Sequence, residues 1–85
     1  MTIMESSRYI VELINFGNNV RTKRTALGMT QDDLSFHTNI ERSEISRIEN
    51  GKRNIEFETI VRLAEALGTS TSELFLPEKD ENSLI

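Results

Sequence analysis

The sequence predicts an all-α fold of five helices. Three observations carry that prediction. Apolar residues recur at helical spacing, from Tyr9, Leu13, Phe16 and Val20 to Ile60, Leu63, Ala64 and Leu67. No apolar–polar alternation persists beyond a few residues, so strands have no support. The single proline is Pro77, which leaves helix punctuation to Gly28, Asn39, Gly51 and Gly68. A chain of 85 residues has room for one ordinary domain. We place it over residues 1–77, with residues 78–85 as an acidic, flexible C-terminal tail.

The first helix spans about Glu5 to Leu27, with Tyr9, Leu13, Phe16, Val20, Ala26 and Leu27 on its apolar face and Gly28 just past its end. Gly17 is a candidate break that the pattern runs through. Residues 1–15 are an N-terminal extension of this helix or an arm, and they carry Ile3, Met4, Tyr9, Ile10, Leu13 and Ile14, more apolar surface than a free arm needs, which suits either an extension of the core or part of a subunit interface. Thr30 is a good N-cap for a second helix, with Asp33 three residues on as in a capping box and Leu34 facing inward. Asn39 ends it, because asparagine tolerates the left-handed conformation, and Ile40 fills the corner. The third helix runs from Arg42 to Glu49 with Ile45 and Ile48 inward, and Gly51 closes it. The fourth runs from about Glu56 to Leu67 with Phe57, Ile60, Leu63, Ala64 and Leu67 inward, and Gly68 ends it. Ser70 and Glu73 form an S-x-x-E capping box for a short fifth helix carrying Leu74 and Phe75, which Pro77 stops.

Composition narrows the function. No cysteine is present, so disulfides and cysteine metal sites are excluded, and His37 is the only histidine. With no second ligand beside it, His37 is structural, and no metal or other cofactor is expected. An enzyme is not expected either. A nucleophile–base pair needs a histidine with a placed partner, adjacent Asp32 and Asp33 do not face one another on a helix, and no glycine-rich phosphate loop occurs. The N-terminus lacks a basic region before its apolar residues, and no apolar run is long enough to span a membrane, so a cytoplasmic protein without a membrane partner is expected. No small-molecule ligand is evident.

The net charge of −4 is unevenly spread. Residues 1–19 hold one cation against two carboxylates, residues 20–54 seven against five, and residues 55–85 two against seven. The middle is mildly basic and the last third acidic, a distribution that suits either ordinary solvation or a local contact with an anionic partner.

The basic middle contains the most informative stretch, Met29 to Asn54. On the third helix, Arg42, Ser43, Ser46, Arg47 and Asn50 fall opposite Ile45 and Ile48. A polar helix face is ordinarily a solvated one. Arginines and small hydroxyls are also the groups that reach base edges, since a guanidinium grips guanine O6 and N7 with two bonds. The following loop, Asn50-Gly51-Lys52-Arg53-Asn54, is either a solubilising helix end or a set of amides and cations for phosphate oxygens. Thr30 and Gln31, at the start of the second helix, are solvated first-turn residues or phosphate contacts at a helix N-terminus.

This stretch resembles the helix-turn-helix of phage-repressor-type proteins, the Cro/cI-like or XRE family. Arg24-x-x-Leu27-Gly28-Met29-Thr30-Gln31-x-x-Leu34 carries the likeness, followed by Ile45-Ser46-Arg47-Ile48-Glu49-Asn50-Gly51-Lys52-Arg53 and by Ile60-x-x-Leu63-Ala64-x-x-Leu67-Gly68 with Glu73-Leu74-Phe75. The resemblance covers about Val20 to Phe75. It implies a compact five-helix repressor-like domain whose second and third helices bind double-stranded DNA. It implies base contacts from Arg42, Ser43, Ser46 and Arg47, and phosphate contacts from Thr30, Gln31, Asn50, Lys52, Arg53 and Asn54. It also implies a structural ion pair between Arg24 and Glu49, and a homodimer on a two-fold operator with a candidate seam at Leu74, Phe75 and Leu76. Two recognition helices would then lie about 34 Å apart, one turn of DNA.

Some positions depart from the family pattern. Asn39 replaces a turn glycine, Glu41 is a weak N-cap, and Ile55 stands where proline is common. Glu44 puts a carboxylate on or beside the DNA-facing side, where it either accepts from cytosine N4 or repels phosphate. The expected function is a small sequence-specific transcriptional regulator without an effector domain, of the phage-repressor, restriction–modification controller or antitoxin-like kind. The alternative is a protein-interaction module that keeps the fold without binding DNA.

Overall fold

A computed structural model describes residues 7–52 and 54–77. Five helices follow in order: α1 Ser7–Ala26, α2 Gln31–Thr38, α3 Arg42–Glu49, α4 Phe57–Ala66 and α5 Thr71–Leu74. No strand occurs among the described residues. Helix α1 packs on α3 and α5, α2 on α3 and α4, and α4 on α5. The core between them holds Phe16 and Val20 from α1, Leu34 from α2, and Ile40, Ile45 and Ile48 around α3. Leu63, Ala64, Leu67 and Leu74 complete it. Burying each large aliphatic stabilises the fold by about 1.5–3 kcal/mol.

Local sequence sets the ends of these helices. Gly28 takes φ +74°, so Met29 N–H reaches the Arg24 carbonyl at 3.1 Å and Gly28 N–H the Thr25 carbonyl at 3.0 Å, closing α1 in a Schellman turn. The capping box of α2 is complete: Thr30 Oγ accepts from Asp33 N–H at 3.0 Å, and Asp33 Oδ2 accepts from Thr30 N–H at 2.8 Å. Hydrogen bonding from Thr30 to the carboxylate, from its backbone N–H first and from its side chain second, holds the Asp33 carboxyl below its ordinary pKa. Asn39 is left-handed at φ 61°. The corner after it is tied down by Ser35 Oγ donating to the Ile40 carbonyl at 2.5 Å and by Thr38 Oγ accepting from Ile40 N–H at 3.2 Å. Glu41 precedes α3 without a side-chain cap. Ser70 Oγ accepts from Glu73 N–H, while the Glu73 carboxylate pairs with Lys23 at 3.7 Å.

Several sequence expectations are corrected. Phe57 points outward and is 74% exposed: it is the first residue of α4, and within that helix the core contacts begin at Ile60. Ala26 and Leu27 are exposed, since the chain turns away from the core after Ala26. Gly17 does not interrupt α1. It is buried where α1 crosses the end of α3, and a Cβ there would collide with the Ile48 carbonyl and lie 2.8 Å from that of Glu49. Glu5, the expected start of α1, and the acidic tail of residues 78–85 lie outside the described residues.

Candidate nucleic-acid interface

The unit formed by α2 and α3 is oriented by its buried side. Leu34, Ile40, Ile45 and Ile48 are all in the core, which turns Arg42, Ser43 and Arg47 to solvent and leaves Ser46 half-buried. Arg42 Nε lies 3.4 Å from Asp32 Oδ1, an ion pair between two exposed side chains that contributes little to stability and can be exchanged for another anion. Glu44 is half-buried beside this face.

A buried carboxylate holds α3 to the two preceding helices. The Glu49 side chain is 0% exposed, and Arg24, 11% exposed, grips it with Nε to Oε2 at 2.6 Å and Nη2 to Oε1 at 2.9 Å. Arg24 Nη1 also donates to the Met29 carbonyl at 2.8 Å. From the first turn of α2, Gln31 Nε2 donates to Glu49 Oε1 at 3.1 Å. Burial pushes the Glu49 carboxyl upward in pKa. The hydrogen bonds from Arg24, Gln31 and Arg21 and the Arg24 charge together outweigh it and hold the group below its ordinary value. Arg24 is raised by the hydrogen bond to Glu49, against the opposing effect of burial.

The loop after α3 begins with a second Schellman turn. Gly51 takes φ +69°, Gly51 N–H donates to the Ile48 carbonyl at 3.0 Å, and Lys52 N–H to that of Arg47 at 2.9 Å. Gly51 packs directly on Ile14 of α1. Asn50 Nδ2 donates to the Ser46 carbonyl at 2.9 Å. Asn50, Lys52 and Asn54 are exposed, and Arg53 lies outside the described residues.

The structure thus brings together α3's outward face, Gln31 and the loop, with Thr30 alongside, although the Thr30 hydroxyl is engaged in its own helix cap. The candidate seam divides. Leu74 is 0% exposed in the domain's own core, so its side chain is not available to a second copy. Phe75 and Leu76 are exposed, as are Ile10, Val11 and Ile14 of α1, and Phe75 lines one groove with Val11 and Ile14. His37 is exposed, stacked edge-on against Phe36 at 5.4 Å, and the described residues hold no cluster of three or more metal-ligating side chains.

Three elements of this arrangement escape the sequence reading. Arg21 also reaches Glu49, with Nε 3.5 Å from Oε1. Its place three residues before Arg24, on the same helix face, is the signal for it. Asn15 and Asn19 bind the chain end of α5: Asn15 Nδ2 donates to the Leu76 carbonyl at 2.7 Å, and Asn19 Nδ2 to those of Leu74 and Leu76 at 2.8 Å each. Gly17 permits the close crossing described above. No local pattern announces the last two.

The helix-turn-helix family model HTH_3 matches residues 20–74. The chain belongs to this helix-turn-helix family. Among its relatives, control protein C.BamHI of Bacillus amyloliquefaciens is 37% identical over 60 residues, 69% of this chain and 74% of that protein. The crystal structure of the restriction-modification controller protein C.AhdI from Aeromonas hydrophila has a TM-score of 0.72 at 40% identity, covering 74% of this chain and 96% of that one. The controller protein C.Esp1396I, solved as a tetramer in complex with its natural 35-base-pair operator, has a TM-score of 0.68 at 28% identity and covers 84% of this chain and 88% of its own. The five helices of this helix-turn-helix protein agree with the all-α repressor-like fold expected from the sequence. No helix among the described residues is long and apolar enough to cross a membrane.

Proposed function

We propose that this chain is a sequence-specific DNA-binding transcriptional regulator of the restriction–modification controller kind, acting as a homodimer in the cytoplasm by binding and not by catalysis. The carrying observation is the Glu49 cluster. It joins α1, α2 and the last turn of α3 into one rigid unit while Arg42, Ser43 and Arg47 stay exposed on the opposite side. A recognition helix needs that combination: a fixed axis, so that base contacts are pre-positioned, and an outward face of bidentate donors and small hydroxyls. In this reading Arg42, Ser43, Ser46 and Arg47 meet base edges. Gln31, Asn50, Lys52, Arg53 and Asn54 set the register on phosphates, with Thr30 ordering the helix N-terminus beside them. Phe75 and Leu76, together with Ile10, Val11 and Ile14, form the seam with a second copy. The operator-bound tetramer of C.Esp1396I supports an oligomeric regulator. Selection of bound duplexes from a random library by gel shift tests the function. We expect a two-fold sequence to be enriched, and no enrichment at low salt would end this reading.

A further inference from the structure

Given the DNA-binding function proposed above, we infer that Arg21 is an additional phosphate ligand of the interface and braces the turn on which that interface rests. Arg21 and Arg24 both reach Glu49, but they are used differently. Arg24 is almost enclosed and commits all three of its nitrogens to Glu49 and Met29. Arg21 is 45% exposed. Its Nη2 donates to the Glu49 carbonyl at 3.3 Å and to Asn50 Oδ1 at 3.0 Å, and its Nε approaches Glu49 Oε1 at 3.5 Å. A guanidinium carries five N–H donors in a planar fork. The two on Nη1 meet no acceptor among the described residues.

Charge and position point the same way. The Arg24 pair neutralises Glu49, so the cluster keeps one surplus positive charge, and that charge sits on its exposed member. Arg21 touches Asn50, the first residue of the loop whose amides and cations suit phosphate. Loops at helix C-termini are poor anion sites on their own, because the last carbonyls carry partial negative charge. Arg21 donates to one of those carbonyls and offsets that field where a phosphate would rest. Its remaining donors suit a phosphate oxygen in a charge-assisted bond.

The test is equilibrium binding of wild-type, R21Q and R21K proteins to a duplex selected by the wild type, across a series of salt concentrations, with thermal unfolding of each. R21Q is expected to lower the slope of log K against log salt by about one, and R21K to keep the wild-type slope. Phosphate-ethylation interference should show one position per half-site that matters to the wild type and no longer to R21Q. A wild-type slope in R21Q, or equal loss in R21Q and R21K, overturns the assignment while leaving the DNA-binding function standing. A wild type that binds no duplex overturns both.

Discussion

Arg24 clasps Glu49 through two roughly parallel hydrogen bonds of 2.6 and 2.9 Å, joining the end of α1 to the last turn of α3. Removing one partner of such a pair leaves a buried charge, which ordinarily costs about 3–5 kcal/mol. Gln31 and Arg21 remain on Glu49, so the Arg24→Ala protein should lose about 3 kcal/mol, toward the lower end of that range. Urea unfolding measures it, and a loss under about 1 kcal/mol, the typical value of a surface pair, would contradict the assigned role.

The same carboxylate predicts an acid limit. The folded pKa of Glu49 is below its ordinary value of 4.5. Its contribution is therefore fully present above that value and is lost as pH falls through the lower folded one. Stability measured from pH 7 down to 3 should fall more steeply in the wild type than in Glu49→Gln below pH 4.5. Parallel curves would show that the cluster does not set the acid limit.

Gly17 should resist replacement by alanine. On helix propensity alone alanine would stabilise α1 by about 1 kcal/mol. The added methyl would collide with the Ile48 carbonyl, which is backbone and cannot swing aside. Overpacking of this kind costs about 1–3 kcal/mol or more. A lower melting temperature for Gly17→Ala is expected, and a higher one would mean that α1 and α3 do not cross so closely.

Asn15 and Asn19 should govern the end of α5. Each replacement by alanine removes hydrogen bonds to carbonyls of residues 74–76 and should cost about 1 kcal/mol. Phe75 and Leu76 are positioned by those bonds, so self-association measured by sedimentation should weaken in the double variant even though neither asparagine is placed in the seam. Unchanged self-association would move the seam elsewhere.

These predictions divide according to what the sequence made legible. Thr30 with Asp33, Asn39, Gly28 and Gly51 act within a few residues of themselves, so their roles are written in local order. Ile45 and Ile48 follow from helical period alone. Phe57 keeps that period and still lies outside, because it is the first residue of α4 and core packing in that helix begins at Ile60, and period does not say where packing starts. Leu74 was as readable an apolar residue as Phe75, yet only the fold places one in the core and the other at the surface. Arg21 meets Glu49 across 28 residues, and Asn19 meets Leu74 across 55. Such partners are chosen by topology. Arg24 with Glu49, although 25 residues apart, was expected only because the family resemblance implied it.

The central claim, that α3 reads bases while the loop after it holds phosphate, is tested most directly by repeating duplex selection with two variants. One carries Arg42→Ala and Arg47→Ala, and the other Lys52→Ala. The first should lose preference at one or two base pairs per half-site for each arginine, about 1–3 kcal/mol apiece. The second should select the wild-type sequence, bind every duplex more weakly, and show a salt slope reduced by about one. An unaltered sequence preference in the Arg42/Arg47 variant would contradict the account.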